Sequence, residues 1–236
     1  MIFINLRKFL FFIAKSRFSS IFIGLTFEYL TALMPVREKS DNNFALIFAH
    51  PSPFWETHYL IVPKKRIPSF IAVNLSDKES LEYIVNIFSL AHFWTTKKGV
   101  EEYSLLVNGG HYQEVPQMHF HLYHGQSRDG VMWGIDKYEP PSDESEIQEH
   151  LNAFAYPKPH PNREFHYIIS SNLPEVDMGS AQTDLDTFRS TLADILEMAQ
   201  MIIVQRHLEE YSVLTSISPN SENIGLVFHL VSGSRI

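Results

Sequence analysis

The run Gln117-Met118-His119-Phe120-His121-Leu122 sets two imidazoles two residues apart within an apolar stretch. Side chains alternate across a strand, so Gln117, His119 and His121 are expected on one face, with Met118, Phe120 and Leu122 turned to the core. An imidazole can serve as nucleophile or base, while a neighbouring ring and backbone amides hold oxyanions. The pair therefore suits phosphate chemistry. Asn108-Gly109-Gly110, just upstream, adds a turn with a polar side chain and accessible amides. Two plainer readings compete: half-buried strand histidines without chemistry, and a metal site. His124 falls on the opposite face of a continued strand and no carboxylate has a ligand-like spacing, so no metal is assigned.

The chain around this strand has 236 residues, 12 histidines and no cysteine. That excludes structural disulfides, thiolate nucleophiles, Cys-ligated zinc and Fe–S clusters. The net charge of -8 is uneven. Residues 1–36 carry Arg7, Lys8, Lys15 and Arg17 against Glu28, which leaves the remaining 200 residues at -11. An acidic body argues against nucleic-acid binding, which needs a basic face. The 1–36 arm holds 7 of the 18 phenylalanines, but charges interrupt its apolar runs at about half the length of a bilayer span. Phe22, Leu25, Tyr29 and Leu33 share one helical face, as in a helix lying on anionic lipid or an arm packed over a sheet. Both alternatives stay open.

An internal repeat organises the rest. Glu101 to Gly125 aligned without gaps on Glu209 to Gly233 agrees at ten of 25 positions, Phe120/Phe228, His121/His229 and Gly125/Gly233 among them. The same 108-residue offset pairs Pro51, Pro53, Glu56, His58, Tyr59 and Ile61 with Pro159, Pro161, Glu164, His166, Tyr167 and Ile169. Each half reads strand, helix, strand, strand. Ser76 with Glu79 forms a capping box, and Lys97-Lys98-Gly99 a stop, around the stripe Leu81, Ile84, Val85, Phe88 and Ala91. Leu192, Ile195, Leu196 and Ala199 form the matching stripe. The expected fold class is α+β, a mainly antiparallel sheet with helices on one face. The organisation is an arm 1–36, a half 37–125 with the intact site, a linker 126–150 and a half 151–236. The second copy keeps its strand pattern and loses polar groups: Asn108-Gly109-Gly110 becomes Ser216-Ile217-Ser218, Gln113 becomes Ser221 and His119 becomes Val227. That is expected if one half works and the other survives as a scaffold or lid.

Thr57-His58-Tyr59-Leu60-Ile61-Val62-Pro63-Lys64-Lys65-Arg66-Ile67 and the block from Asn108 to Tyr123 resemble the histidine-triad (HIT) superfamily of nucleotide hydrolases and transferases. The likeness covers about residues 43 to 125, with a decayed copy from about 151 to 236. It implies that His119 is the nucleophile forming a nucleotidyl-histidine, His121 the phosphate-holding third histidine, Asn108 an orienting group and Gln113 a phosphate contact. Gln117 takes the place of the first triad histidine, Arg66 that of the histidine ending the Pro-Lys turn, and His50 that of a ribose-binding Asp or Asn. All three are candidate site residues. Many members are homodimers, so the resemblance implies that this chain fuses both protomers into an intrachain pseudo-dimer, with further oligomerisation not required.

The expected activity is a HIT-type nucleotide phosphohydrolase or nucleotidyl transferase. No cofactor is implied, and a nucleotide or nucleoside phosphate is the partner. A cytoplasmic location fits, membrane-associated if the arm binds lipid. The alternative is a catalytically weak nucleotide-binding or membrane-surface adaptor, which Gln117, Arg66 and the decayed half favour. His58 recurs as His166, which reads as a structural role, and Tyr112, Trp55 and Phe54 could stack on a base or pack in the core.

Overall fold

The structure, a computed structural model, describes residues 38–128, 138–178, 180–217 and 225–235. The 1–36 arm and its two readings lie outside the described residues. Among those that are described, no helix is long and apolar enough to cross a membrane.

Among the described residues, ten strands form one sheet: β1 (Ser40–Asp41), β2 (Ala45–Ala49), β3 (Trp55–Pro63), β4 (Tyr103–Gly110), β5 (Phe120–Ser127), β6 (Gln148–His150), β7 (Ala153–Pro157), β8 (Arg163–Ser171), β9 (Glu210–Ile217) and β10 (Val227–Arg235). Their order is β1-β2-β3-β5-β4-β9-β10-β8-β7-β6, with every neighbouring pair antiparallel. The expected α+β class with an antiparallel sheet is therefore found. Pairings on one side of the sheet recur on the other 108 residues later. Leu60 faces His121 and Ile168 faces His229; Leu106 faces His121 and Leu214 faces His229; Ala45 faces Pro63 and Ala153 faces Ser171. In the middle, β4 meets β9 over eight residues, with Leu106 opposite Leu214.

Two long helices cover one face. Helix α1 (Lys78–Lys98) packs on β2 and β3, and α2 (Leu185–Gln205) on β7 and β8. The apolar stripes read from the sequence are buried in both. Helix α1 stops as expected at Gly99, whose φ of 67° is the left-handed conformation that glycine adopts without strain. Its start differs from the expected capping box. Asp77, not Ser76, is the cap, accepting from the Ser80 N–H at 2.8 Å, while the Ser76 hydroxyl donates to Glu197 on α2. Both residues are good caps, and the more C-terminal one won because Ser76 found a partner on the facing helix.

The core lies between helices and sheet, and Phe88 of α1 shows how it is shared. Its ring lies 5.6 Å from Phe120 and 5.9 Å from Phe228, two residues that occupy the same place in the two sequence copies. Met118, Phe120 and Leu122 are buried in it, as the alternation required. Within the segment 126–150, Gln126 and Ser127 continue β5 and Gln148–His150 form the edge strand β6. The Pro and acidic composition of that segment hid both strand ends.

The β4–β9 junction allows little room. Gly109 lies opposite Tyr211, and a Cβ there would overlap the buried Tyr211 ring. Gly109→Ala is expected to lower unfolding free energy by about 1–3 kcal/mol, the usual cost of overpacking, read as a lower urea midpoint. An unchanged midpoint would mean that the two strands are not this close.

Candidate functional site

β5 begins at Phe120, so His119 sits just before the strand and His121 within it. The loop leading to them is pinned at three points. Gln113 Nε2 donates to the carbonyls of Pro68 and Val115, each at 2.7 Å. Gln117 Nε2 donates to Lys65 O at 3.1 Å, and the Met118 N–H donates to Ile67 O at 2.7 Å. The turn after β3 thus holds His119 in place.

Four histidines gather where β3, β5 and the residue after β2 meet. His50 and His58 stack with ring centroids 4.1 Å apart and nearly parallel planes. His58 Nε2 lies 2.9 Å from His121 Nδ1, and the His119 and His121 ring centres are 5.0 Å apart. Burial pushes all four below the ordinary imidazole range, His58 to about 3. Neighbouring rings add to this for His50, His58 and His121, so the cluster is neutral at pH 7.

Backbone groups then decide where the protons sit. The Phe54 N–H donates to His58 Nδ1 at 3.1 Å, which leaves the His58 proton on Nε2, donated to His121 Nδ1. His121 must therefore carry its own proton on Nε2. The Ser52 N–H donates to His50 Nδ1 at 3.1 Å, so His50 also presents an Nε2–H. His119 is opposite in kind. Its Nδ1 lies 2.8 Å from the Gln117 carbonyl, which can only accept, so the proton is on Nδ1 and Nε2 keeps a lone pair. One nucleophilic nitrogen accompanied by two N–H donors is an arrangement for attacking and holding a phosphoryl group.

The same protons argue against a metal ion. Ligand atoms of His50, His58 and His121 lie within 4.8 Å of one another, near enough for a three-histidine site. Metal-bound imidazoles donate their outer N–H to an acceptor. Here the outer nitrogens of His50 and His58 receive N–H groups instead, so their inward nitrogens are protonated and ligation would break both backbone bonds.

The other sequence candidates fall in varied places. Asn108 lies two residues beyond Leu106, the partner of His121, and so shares the site face. Its Oδ1 accepts from the Ser212 hydroxyl of β9 at 2.7 Å. Gln113 spends both amide protons on carbonyls, so it braces the loop and has no N–H left for a phosphate. The Gln117 side chain is buried against the Pro63–Lys65 turn, not beside the imidazoles; Gln117 serves the site through its backbone carbonyl. Alternation failed there because the strand had not yet begun. Arg66 is exposed on that turn. His124 lines a separate cavity with Trp94, Lys98 and Tyr103. Trp55 stacks on Tyr123 and meets Phe54 and His58 edge-on, while the Tyr112 hydroxyl donates to Gly233 O, so these aromatics pack within the fold.

Two residues were underrated. His58 orients His121, and the signal was present: both members of the pair recur 108 residues later. Glu114 raises the proton affinity of His119 and His50 against burial, so its carboxylate lies within electrostatic reach of both rings.

Residues 40–127 match the HIT domain. No curated protein matches the chain. Among solved structures, a HIT family hydrolase from Legionella pneumophila Philadelphia 1 is 28% identical over 44% of this chain and 93% of its own, with a TM-score of 0.38. A histidine triad protein from Clostridium difficile is 22% identical over 52% and 99%, with a TM-score of 0.40. A uridylyltransferase is 12% identical over 83% of this chain and 76% of its own, with a TM-score of 0.56. The last is a likeness of fold that extends beyond the HIT-matching segment.

Two measurements follow from the proton assignments. Burial holds His58 and His229 at about 3 and His166 at about 4, below the ordinary 6.5. The unfolded chain takes up these protons as pH falls below about 6.5 and the folded chain does not, so stability present above that pH is lost toward 3–4. The unfolding free energy from urea titration should fall between about pH 7 and about pH 5, by up to about 1.4 kcal/mol per pH unit for each such ring. His166→Asn with His229→Asn should flatten the slope; equal slopes would show that the folded rings accept protons. Zinc at equimolar concentration should leave the melting temperature unchanged, and tight binding abolished by His50→Ala would refute the tautomers.

Proposed function

We propose that the first half is a HIT-type nucleotide hydrolase or nucleotidyl transferase working through His119. The observation that carries this reading is the Gln117 carbonyl at His119 Nδ1, which leaves Nε2 unprotonated in a cluster where His50 and His58 accept backbone N–H groups at Nδ1. His119 Nε2 attacks the α-phosphorus, and its bond to phosphorus forms as the bond to the leaving group breaks. The positive charge left on the ring is held through Nδ1–H by the Gln117 carbonyl. His121 and His50 donate to the phosphoryl oxygens, and His58 keeps the His121 proton on the substrate side. Water or a second acceptor then cleaves the nucleotidyl-histidine and restores the neutral ring. Asn108, steadied by Ser212, orients the substrate, and Arg66 stands at the edge as a cation for an outer phosphate.

We infer further that residues 37–125 and 151–236 are related halves fused as a pseudo-dimer, with 126–150 joining them. The recurrence of strand register at an offset of 108 supports this, as does the His166–His229 pair, 2.9 Å apart like His58 and His121. Glycine takes φ of 80° at Gly125 and 75° at Gly233, each beside a glutamate at the same offset, Glu56 and Glu164. In this reading the second half has lost its nucleophile at Val227.

The test is turnover of a panel of nucleoside phosphoramidates and dinucleotides. His119→Ala is expected to lower kcat/KM by about 10^3-fold or more, while His124→Ala stays within a few-fold. Equal activity in the two variants would reject the site. Nucleotide binding by the wild type without product formation would favour the binding-protein reading instead.

A further inference from the structure

A cavity of about 200 Å³ lies between the C-terminal end of α1 and the sheet. Thr57 faces His124 and Tyr59 faces Leu122 across β3 and β5, and all four line it. Side chains alternate along both strands, so the cavity opens on the sheet face opposite to His58 and His121. Buried Tyr59, Trp94 and Tyr103 give it aromatic walls, while half-buried Thr57 and His124 and exposed Lys98 stand toward solvent. About 150 Å³ is enough to hold benzene, so one substituted ring fits.

The place 108 residues on shows what shape is missing. Phe165 stands there in the register of Thr57, opposite Ser232 as Thr57 is opposite His124. Its ring stacks on Tyr167 with centroids 4.9 Å apart and planes 16° from parallel. Arg206, at the offset of Lys98, donates to the Tyr167 hydroxyl at 2.9 Å. A phenyl ring thus lies on that tyrosine, whereas Thr57 is too short to cover Tyr59.

The polar atoms left over at the cavity are donors. Lys98 Nζ donates to Glu38 at 2.9 Å, and an ammonium has three N–H groups, so donors remain. The Tyr59 hydroxyl donates to the same Glu38 oxygen at 2.7 Å. Burial and then Glu38 push the Tyr59 pKa up to about 12, and the nearby Trp94 N–H works against them. Trp94 Nε1 is nevertheless buried without a hydrogen-bond partner among the described residues. A buried donor left this way calls for an acceptor.

We propose that this cavity binds a one-ring aromatic acid, its ring on Tyr59 as Phe165 lies on Tyr167, and its carboxylate accepting from Lys98 and Trp94 Nε1. A carboxylate suits both because it accepts only. The site is independent of the chemistry proposed for His119.

The experiment is calorimetric titration of benzoate into the full-length chain, with benzamide and acetate as comparators. The wild type should bind one benzoate, benzamide about tenfold more weakly for want of charge, and acetate not measurably. Thr57→Phe with His124→Ser recreates the Phe165–Ser232 pair, and should abolish binding with the melting temperature kept. Lys98→Gln, at an exposed position, should bring benzoate down to the affinity of benzamide. No benzoate binding by the wild type would overturn the proposal, as would full binding by a filled variant that melts like the wild type. Should the filled variant melt lower, Lys98→Gln decides: benzoate affinity equal to that of the wild type overturns the site. His119→Ala should bind benzoate as the wild type does, so this site and the nucleotide site can fail separately.

Discussion

The pairing of β4 with β9 is the constraint on which the rest depends. Eight residues of each strand meet antiparallel at the centre of the sheet and merge two five-stranded sets. Without that pairing each set would end in an open row of backbone N–H and C=O groups, a template for unwanted association. The junction also reaches the candidate site. Asn108 is held by Ser212 and Gly109 lies under Tyr211, while the His111 N–H donates to Glu209 O. The loop that carries Gln113 and His119 therefore starts from a strand fixed by the other half.

Within the site, chemistry follows from where backbone groups place protons. None of the four rings differs from another in type, yet a carbonyl beside His119 and N–H groups beside His50 and His58 make one an acceptor and the others donors. Burial keeps them neutral and so keeps those roles distinct. Side-chain identity alone would have allowed a metal site. The hydrogen bonds to the far sides of the His50 and His58 rings place their protons on Nε2.

Much of this could be read from the chain. The 108-residue offset anticipated matching registers, because the apolar alternation that sets a strand's register was itself repeated. The helical stripes and the Gly99 stop were legible for the same local reasons. Gln117 and Gln113 were not, since both lie in a loop whose path is set by carbonyls of the Pro63–Pro68 turn, and no periodicity applies there. His58 was visible as a recurring residue, but its role needed the knowledge that β3 and β5 are neighbours. Asp77 prevailed over Ser76 through a contact with α2, 121 residues away in sequence, which no local pattern contains.

Leu106 facing its own counterpart Leu214 has a consequence for fragments of the chain. The pairing register is unchanged when the two strands exchange roles, so β4 of a severed first half could dock on β4 of an identical fragment in the same alignment. Cutting the chain between its halves would thus give a species prone to self-association in pairs. The covalent link sets the stoichiometry by supplying each central strand with a partner at fixed effective concentration before another molecule can reach it.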